Sequence, residues 1–235
     1  MATYNGERFV MEQITSILSQ LQETDELIVV DDASNDHTRE RVQSFNDERI
    51  RLIAHDRNQG VAHSFQDALE IASNDILFLS DQDDLWYPEK VELITKEFKR
   101  RPSLSLVATD AALIDEDGKL IAGSYYSKDR PFRIGAMNNF LRNRFIGCTL
   151  AFRRSLLSEI LPFPHRLDVL HDVWIGVRAS ICHCEIAFIP RPLILYRRHS
   201  HTATGRLKLS IVRRMRIRLH LMVALAQFKV RKGFR

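Results

Sequence analysis

The stretch Ser80-Asp81-Gln82-Asp83-Asp84-Leu85-Trp86 directly follows the apolar stretch 75–79. Three carboxylates within four residues after a buried strand repel one another unless water or a cation neutralises them. A hard divalent cation such as Mg²⁺ or Mn²⁺ takes oxygen ligands and leaves positions for phosphate oxygens. N-capping of the helix after Pro88 explains one of these aspartates, but not three with an aromatic beside them. The stretch therefore predicts a metal-bridged diphosphate at the end of a central strand.

Short apolar runs alternate with helical patterns through the first 110 residues. Strands are predicted at 27–30, 50–55, 75–79 and 104–109, and helices at 7–21, 38–45, 61–72 and after Pro88. This alternation predicts an α/β fold with a doubly wound, mostly parallel central sheet. Ligands of such sheets lie beyond the carboxyl ends of the strands, where Asp31-Asp32 and Asp81–Asp84 both fall.

The second half of the sequence is less regular. A hairpin is predicted at 113–121, an irregular loop at 123–140, strands at 147–152, 186–189 and 193–196, and helices at 154–161 and 171–180. We expect the residues that select the ligand to lie in the irregular segments 123–145 and 160–172.

Three further motifs carry polar chemistry, and each also has a structural interpretation. Asp31-Asp32 could bind a nucleoside or could belong to a strand-to-helix turn capped by Ser34 or Asp36. Asp172, in His171-Asp-Val-Trp174, could be a general base beside an aromatic platform or an N-cap beside a core tryptophan. His199, in Tyr196-Arg-Arg-His199, could meet a metal or phosphate, or could be structural.

The composition is that of an ordinary globular protein. The 235 residues are 45% hydrophobic and 27% charged, with no apolar run of about 20 residues and no signal-peptide pattern. The three cysteines show no disulfide framework, so we expect a reducing cytoplasmic location.

The basic charge is concentrated at the C-terminus. Residues 206–235 hold ten Lys or Arg and no Asp or Glu, whereas the preceding residues hold 24 basic against 30 acidic side chains. Apolar residues lie among these charges, which predicts a basic amphipathic helical tail. The tail could pack on the body or lie on the inner face of an anionic membrane. No nucleic-acid reader motif accompanies it, so we expect no nucleic-acid partner.

Taken together, residues 1–200 resemble the inverting GT-A glycosyltransferases of family 2. The motifs that carry the resemblance are Ala2-Thr-Tyr-Asn-Gly6, Val30-Asp-Asp-Ala-Ser-Asn-Asp-His-Thr38, Asn58-Gln-Gly60, Ser80–Trp86, Gly147, His171–Trp174 and Tyr196–His199. The Asp-Gln-Asp-Asp-Leu-Trp wording is most similar to rhamnosyltransferase-type enzymes of bacterial polysaccharide assembly.

The resemblance implies a role for each motif. The donor would be a nucleoside diphosphate-sugar, either dTDP-rhamnose or a UDP-sugar, and the acceptor a hydroxyl of a glycan or lipid-linked glycan. Asp172 would be the base, and Mg²⁺ or Mn²⁺ would be held by Asp83 and His199. The nucleotide-sugar would be bound by Thr3, Tyr4, Asn5, Asp31, Asp32, Asn58 and Asp81, and the sugar and acceptor sites would be shaped by Trp86, His171 and Trp174.

The resemblance also predicts the domain organisation. Residues 1–205 would form the GT-A domain, with a nucleotide-sugar-binding half at 1–110 and an acceptor half at 111–205, and residues 206–235 the tail. Family members carry an apolar first strand before the Ala-Thr-Tyr-Asn-Gly segment, so we expect that strand to be missing here. Three alternatives stay open. The first is a sugar-nucleotidyltransferase, which would need a Gly-rich basic loop near the N-terminus. The second is a non-catalytic binding remnant, and the third is a peripheral membrane or nucleic-acid protein built around the tail.

Overall fold

The computed structural model describes residues 1–164, 171–199 and 211–231. Its strands are β1 Ala2–Thr3, β2 Leu27–Asp31, β3 Ile50–Ala54, β4 Ile76–Phe78, β5 Leu85–Trp86, β6 Leu104–Ile114, β7 Leu120–Ala122, β8 Leu150–Arg153 and β9 Glu185–Arg197. Its helices are α1 Val10–Leu18, α2 Thr38–Gln43, α3 Val61–Glu70, α4 Lys90–Arg100, α5 Ala136–Leu141, α6 Leu157–Ile160, α7 His171–Ile181 and α8 Ile211–Arg231. The predicted α/β class is confirmed.

Parallel pairing dominates only the N-terminal half of the molecule. Strands β1, β2 and β3 form one parallel sheet in that order. The second sheet has the order β4-β8-β6-β9-β5, with β7 paired to β6, and only β6 and β9 run parallel in it. The prediction of a mostly parallel sheet is therefore wrong for the second half, where β8 and the hairpin of β6 and β7 add antiparallel neighbours.

The first strand is present in the structure as two residues. Ala2 and Thr3 pair with Val30 and Asp31 of β2, and the carbonyl of Met1 accepts a hydrogen bond from the Val30 amide. Ala2 and Thr3 therefore occupy the position beside β2 at the edge of this three-stranded sheet. A cavity of about 610 Å³, lined by Ile28, Leu77 and other apolar side chains, lies next to β1.

Apolar spacing places the helices on the sheets. In α1, Val10, Ile14 and Ile17 are buried at positions i, i+4 and i+7, and in α4 Ile94 and Phe98 are buried in the same way. Strand β2 is buried along its whole length, as its unbroken apolar run predicts. Residues that follow β1, β2 and β4 line one common cavity.

The C-terminal half departs from the sequence prediction in two places. The strands predicted at 186–189 and 193–196 are one continuous strand, β9, with register shifts against β6. The segment 123–140, predicted as an irregular loop, contains the start of helix α5. The predicted hairpin is confirmed, and Gly118 at its turn has a φ of 82°.

Helix α8 covers part of the predicted tail and packs on the body. Leu221, Ala224 and Phe228 are buried in the main hydrophobic cluster, which also contains Trp174 of α7. Residues 206–210 and 232–235 of the predicted tail lie outside the described residues, and the division of the chain at residue 205 stays a prediction. Among the described residues, no helix combines the length and hydropathy needed to span a bilayer.

Candidate active site

A cavity of about 430 Å³ opens at the carboxyl ends of β1, β2 and β4. Eight of the residues singled out from the sequence line it, namely Thr3, Tyr4, Asp32, Asn58, Asp81, Asp83, His171 and Asp172. Residues of both aspartate motifs therefore meet in one cavity, although β2 and β4 belong to different sheets.

Two carboxylates of the acidic stretch 81–84, those of Asp81 and Asp83, line this cavity. Burial, and then the neighbouring Asp83 and Asp172, raise the pKa of Asp81 to about 7. Asp84 is fully buried; its Oδ1 accepts a hydrogen bond from the Arg197 amide at 3.0 Å, while its Oδ2 has no hydrogen-bond partner among the described residues. Burial, and then Asp83 and Asp81, raise its pKa well above the ordinary value.

These carboxylates have the chemistry of a divalent-cation site. Ligand atoms of Asp81, Asp84 and Cys148 lie within 4.8 Å of one another. A hydrogen bond of 2.7 Å joins Asp83 Oδ2 to His199 Nε2, and the His199 ring packs on Phe9. Crowded oxygen ligands and an unpartnered buried carboxylate oxygen fit a hard cation such as Mg²⁺ or Mn²⁺.

One buried lysine lies beneath the acidic stretch. Lys90, the first residue of α4, is fully buried, donates to the Cys148 carbonyl at 2.9 Å and lies 4.4 Å from the centre of the Trp86 ring. Burial lowers the pKa of Lys90 to about 7, although Asp84 and Asp81 oppose this shift. The lysine is thus close enough to these aspartates to act as their counter-charge.

Asp172 lies in the first turn of α7 and faces the same cavity. Its carboxylate accepts hydrogen bonds from Asn143 Nδ2 at 3.1 Å and from the Val173 amide at 2.6 Å. Burial raises the pKa of Asp172 to about 6, against the stabilising effect of these donors. A carboxylate of this pKa is ionised at neutral pH and is a stronger proton acceptor than an exposed aspartate.

The neighbouring His171 is buried without a polar partner. Its ring packs on Phe65 with centroids 4.3 Å apart, and neither ring nitrogen has a hydrogen-bond partner among the described residues. Burial lowers the pKa of His171 to about 4, so the ring is neutral at pH 7. Gly147 makes this position possible, because a Cβ there would lie 2.6 Å from His171 Nε2.

The two aspartates at the end of β2 have different surroundings. Asp31 is fully buried and pairs with Arg39 Nε at 2.9 Å, Thr3 Oγ1 at 3.1 Å and the Ser34 amide at 2.9 Å. It holds the turn after β2 and does not line the cavity, contrary to its predicted nucleotide contact.

Asp32 lines the cavity and organises the loop beside it. The carboxylate accepts hydrogen bonds from the amides of Gln59 and Gly60, both at 2.7 Å, and pairs with His55 Nδ1 at 2.8 Å. His55 Nε2 in turn pairs with Asp67 Oδ2 at 2.8 Å. Although burial opposes it, these two hydrogen bonds raise the pKa of His55.

Hydrogen bonds between side chains and the backbone fix the segment after β1. Gln82 accepts from the Tyr4 amide at 2.8 Å and donates to the Tyr4 carbonyl at 3.0 Å. Asn5 donates its amide to Ser34 Oγ and accepts from the Asn35 amide, so it joins two loops and does not line the cavity. Tyr4 remains 43% exposed at the cavity mouth.

Comparison with known proteins places this geometry in a family. Residues 1–161 match the family model for glycosyl transferase family 2. The chain belongs to glycosyltransferase family 2. It is 31% identical over 179 residues to the UDP-Glc:alpha-D-GlcNAc-diphosphoundecaprenol beta-1,3-glucosyltransferase WfgD of Escherichia coli, covering 75% of this chain and 67% of WfgD.

Further relatives agree with this family. The putative teichuronic acid biosynthesis glycosyltransferase TuaG of Bacillus subtilis is 30% identical over 161 residues, covering 67% of this chain and 62% of TuaG. This family 2 chain thus spans about two thirds or less of the length of these relatives.

Solved structures confirm the GT-A fold. Staphylococcus aureus TarS 1-349 in complex with UDP-GlcNAc superposes with a TM-score of 0.71 and 18% identity, covering 99% of this chain and 73% of that one. The mannosyltransferase PcManGT of Pyrobaculum calidifontis, in complex with GDP-Man and Mn²⁺, gives a TM-score of 0.61 at 20% identity, covering 100% of this chain and 63% of that one.

In this family 2 glycosyltransferase, both tryptophans lie in the hydrophobic core rather than at the cavity. Trp86, in β5, is buried against Phe78 of β4. Trp174 donates its indole N–H to the Ile160 carbonyl at 2.7 Å. Neither lines the cavity, so the expectation that they shape the sugar and acceptor sites does not match their positions.

Sequence reasoning missed three residues that organise the site. Gln82 fixes Tyr4, Asn143 holds Asp172, and His55 holds Asp32. Asn143 lies in the irregular segment 123–145, where ligand-selecting residues were expected, but no local pattern distinguishes it there. Of the other expected segment, 160–172, residues 165–170 lie outside the described residues.

Proposed function

We propose that this chain is an inverting transferase that moves a sugar from a nucleoside diphosphate-sugar to a hydroxyl of a growing cell-surface glycan. The observation that carries the proposal is the meeting of Asp172 with the acidic stretch in one cavity. Asp172 lines the same cavity as Asp81 and Asp83, so a proton acceptor and the carboxylates of a candidate cation site lie together. A single displacement needs these two functions on either side of the anomeric carbon.

The nucleoside end of the donor lies along β1 and β2 in this proposal. Thr3, Tyr4 and Asn58 offer hydrogen-bonding groups, and Asp32 shapes the wall through the loop at residues 59–60. Asp81, behind them, faces the ribose and diphosphate. Asn5 and Asp31 support this wall from outside the cavity, because their side chains are engaged with neighbouring loops.

Asp83 and His199 would hold the Mg²⁺ or Mn²⁺ ion. When bound, the ion neutralises negative charge that develops on the leaving diphosphate. Asp172 accepts the proton of the acceptor hydroxyl as that oxygen attacks the anomeric carbon from the face opposite the diphosphate. The neutral ring of His171, with two unpartnered nitrogens, hydrogen-bonds a hydroxyl of the sugar or acceptor in the same cavity.

We favour a UDP-sugar as the donor, with dTDP-rhamnose as the alternative. The support is the UDP-glucose named for WfgD and the UDP-GlcNAc bound by TarS. A glycan on a lipid diphosphate is the favoured acceptor, because WfgD acts on a diphosphoundecaprenol-linked sugar and α8 is basic. We place the reaction in the cytoplasm at the inner face of the membrane.

Donor binding and turnover, measured on the same preparation, test the proposal. We expect UDP-sugars to raise the melting temperature in the presence of Mn²⁺ but not of chelator, by about 5–10 °C at 100 times Kd. GDP- and dTDP-sugars serve as matched ligands. Release of UDP on addition of a glycan acceptor completes the test.

Three outcomes are distinguishable. Metal-dependent stabilisation with UDP release supports a transferase. Stabilisation without release, across donors and acceptors, identifies a non-catalytic binding protein instead. A cooperative melt that no nucleotide-sugar shifts would overturn both the proposed donor class and the cavity assignment.

A further inference from the structure

Exposed apolar side chains are concentrated on one part of the surface. Among the described residues, thirteen large apolar side chains are exposed, and eight of them lie on α8 or on α5 and the loop before it. The eight are Ile134, Met137, Leu141, Val212, Met215, Leu219, Met222 and Val223. A large exposed apolar patch marks a contact site for a protein or a membrane.

Helix α8 has two opposite apolar faces. Leu221, Ala224 and Phe228 form the buried face, and Phe228 packs on Trp174 with ring centroids 5.5 Å apart. The exposed residues Val212, Met215, Leu219 and Met222 follow the spacing three, four, three, which places them on one stripe. At 100° per residue this stripe lies on the side of the helix away from the core.

Positive charge borders the exposed stripe. Arg216 and Arg218 occupy helix positions on either side of it, and the whole segment 206–235 has ten basic and no acidic residues. Arg218 Nη2 donates to the Leu141 carbonyl at 2.7 Å, which joins the middle of α8 to the exposed end of α5.

The loops around α5 add to this positive charge. Arg130, Arg133, Arg142 and Arg144 lie in the loops on either side of α5, and burial, followed by the other three arginines, lowers the pKa of Arg144. Apolar side chains bordered by arginines suit the boundary between lipid headgroups and acyl chains.

We propose that α8 and the exposed end of α5 form a docking surface for an anionic phospholipid bilayer. The stripe from Val212 to Met222 inserts at the headgroup–acyl boundary, and the bordering arginines bind lipid phosphates. The helix lies in the membrane plane, because its other face is buried in the protein core.

The surface is connected to the proposed catalytic base. Asn143, two residues after α5, donates to Asp172, and Trp174, two residues after Asp172, packs on α8. In this part the inference rests on the proposed function: docking would hold a lipid-linked acceptor at a fixed distance from Asp172. The docking itself needs no transferase activity.

The charge distribution favours a bilayer over a second copy of the chain. Pairing two α8 stripes would bring their bordering arginines together, and no acidic residue in 206–235 could compensate them. An anionic lipid surface instead attracts each basic residue near it.

Vesicle flotation tests the inference directly. We expect the full chain to float with vesicles of equal phosphatidylglycerol and phosphatidylcholine, and to remain in solution with phosphatidylcholine alone. The variant Met215→Asp/Leu219→Asp should lose about tenfold or more in binding, because it places two charges in the inserted stripe. Added salt should weaken binding by screening the arginines.

The chain offers a matched control on a different surface. Leu120 and Ile121 of β7 are 60% and 57% exposed, similar to Met215 at 63% and Leu219 at 56%. Leu120→Asp/Ile121→Asp should therefore float like the unmodified chain. Circular dichroism melting of both variants reports whether each one folds.

Several results would overturn the inference. The unmodified chain could fail to float with anionic vesicles, or the β7 control could lose binding as fully as the α8 variant. Light scattering could instead show a dimer that Met215→Asp/Leu219→Asp separates, which would assign the stripe to self-association. Donor-induced melting shifts, measured in parallel without vesicles, report separately on the proposed function.

Discussion

Replacing Asp172 by Asn removes the proposed base with little change of shape. The asparagine Oδ1 can still accept the hydrogen bond from the Val173 amide, so α7 should keep its position. It cannot take the proton of an acceptor hydroxyl. Loss of a general base lowers kcat by about 10²–10⁴-fold, equivalent to about 3–5 kcal/mol of barrier. The assay is UDP release at saturating donor and acceptor, with donor affinity measured separately by melting shifts.

The pH dependence gives an independent readout of the same group. Burial raises the pKa of Asp172 to about 6, so the active carboxylate is lost as the pH falls through 6. We expect kcat/KM of the free enzyme to fall about tenfold per pH unit below that value. Asn143→Ala removes a donor that stabilises the ionised form, and should move this limb to higher pH.

Two results would refute the assignment. Turnover by Asp172→Asn within about fivefold of the unmodified chain would show that another group takes the proton, given the size of base effects. A folded Asp172→Asn variant that no longer binds donor would show that the carboxylate serves binding instead.

Three further changes test the supporting structure. Asp83→Asn should abolish the Mn²⁺-dependent part of the donor melting shift and reduce turnover about 100-fold or more, while the ligand-free melting temperature changes little. Gly147→Ala places a Cβ 2.6 Å from His171 Nε2 and should lower stability by about 1–3 kcal/mol, whereas Gly123→Ala, where no atom lies within 4 Å, should not. His55→Asn should destabilise the protein more at low pH than at high pH. Although burial opposes it, hydrogen bonds to Asp32 and Asp67 raise the folded-state pKa of His55 above its unfolded value of 6.5. The stabilisation by His55 is therefore fully present below pH 6.5 and is lost as the pH rises through the raised folded-state pKa. Melting temperatures at pH 6 and pH 9 measure this difference, and equal losses at both would contradict the ion pairs.

The meeting of the two aspartate motifs was predicted correctly from the sequence, because the evidence for it was local. An unbroken apolar run ending in aspartates at β2, and another before residues 81–84, are patterns that burial and ligand binding impose on neighbouring residues. The antiparallel pairing of β8 was not local. It depends on a contact with β4 some 70 residues earlier, for which the sequence carries no register signal.

The roles of Asp31 and Asp32 show a finer limit of sequence reasoning. Adjacent residues of a strand point to opposite sides, so only one of the two can face the cavity. Asp31 turns to Arg39, Thr3 and Ser34, and Asp32 to the loop at 59–60. Which side faces the ligand depends on how β2 lies between β1 and β3, and the motif is the same in either case.

The tryptophans illustrate the same limit for aromatic residues. A tryptophan beside carboxylates fits either a sugar platform or a core position, and local sequence does not separate the two. Trp86 is committed to the core by the pairing of β5 with β9 at Ile194, and Trp174 by the packing of α8. Both commitments come from segments that are distant in the chain.

The acidic stretch is the feature for which sequence and structure complement each other most. The sequence places three carboxylates within four residues, and such a group needs water or an opposite charge to neutralise it. In the structure Lys90 is a buried counter-charge near this stretch, with its Nζ 4.4 Å from the centre of the Trp86 ring. No local sequence pattern predicts this lysine. Lys90 opposes Asp81 and Asp84, whereas Asp83 pairs with His199, and Asp84 keeps an oxygen without a hydrogen-bond partner among the described residues. Removing a buried counter-charge typically costs about 3–5 kcal/mol, so Lys90 makes the cluster tolerable without neutralising it. We propose that a bound divalent cation would compensate the negative charge that remains on these carboxylates.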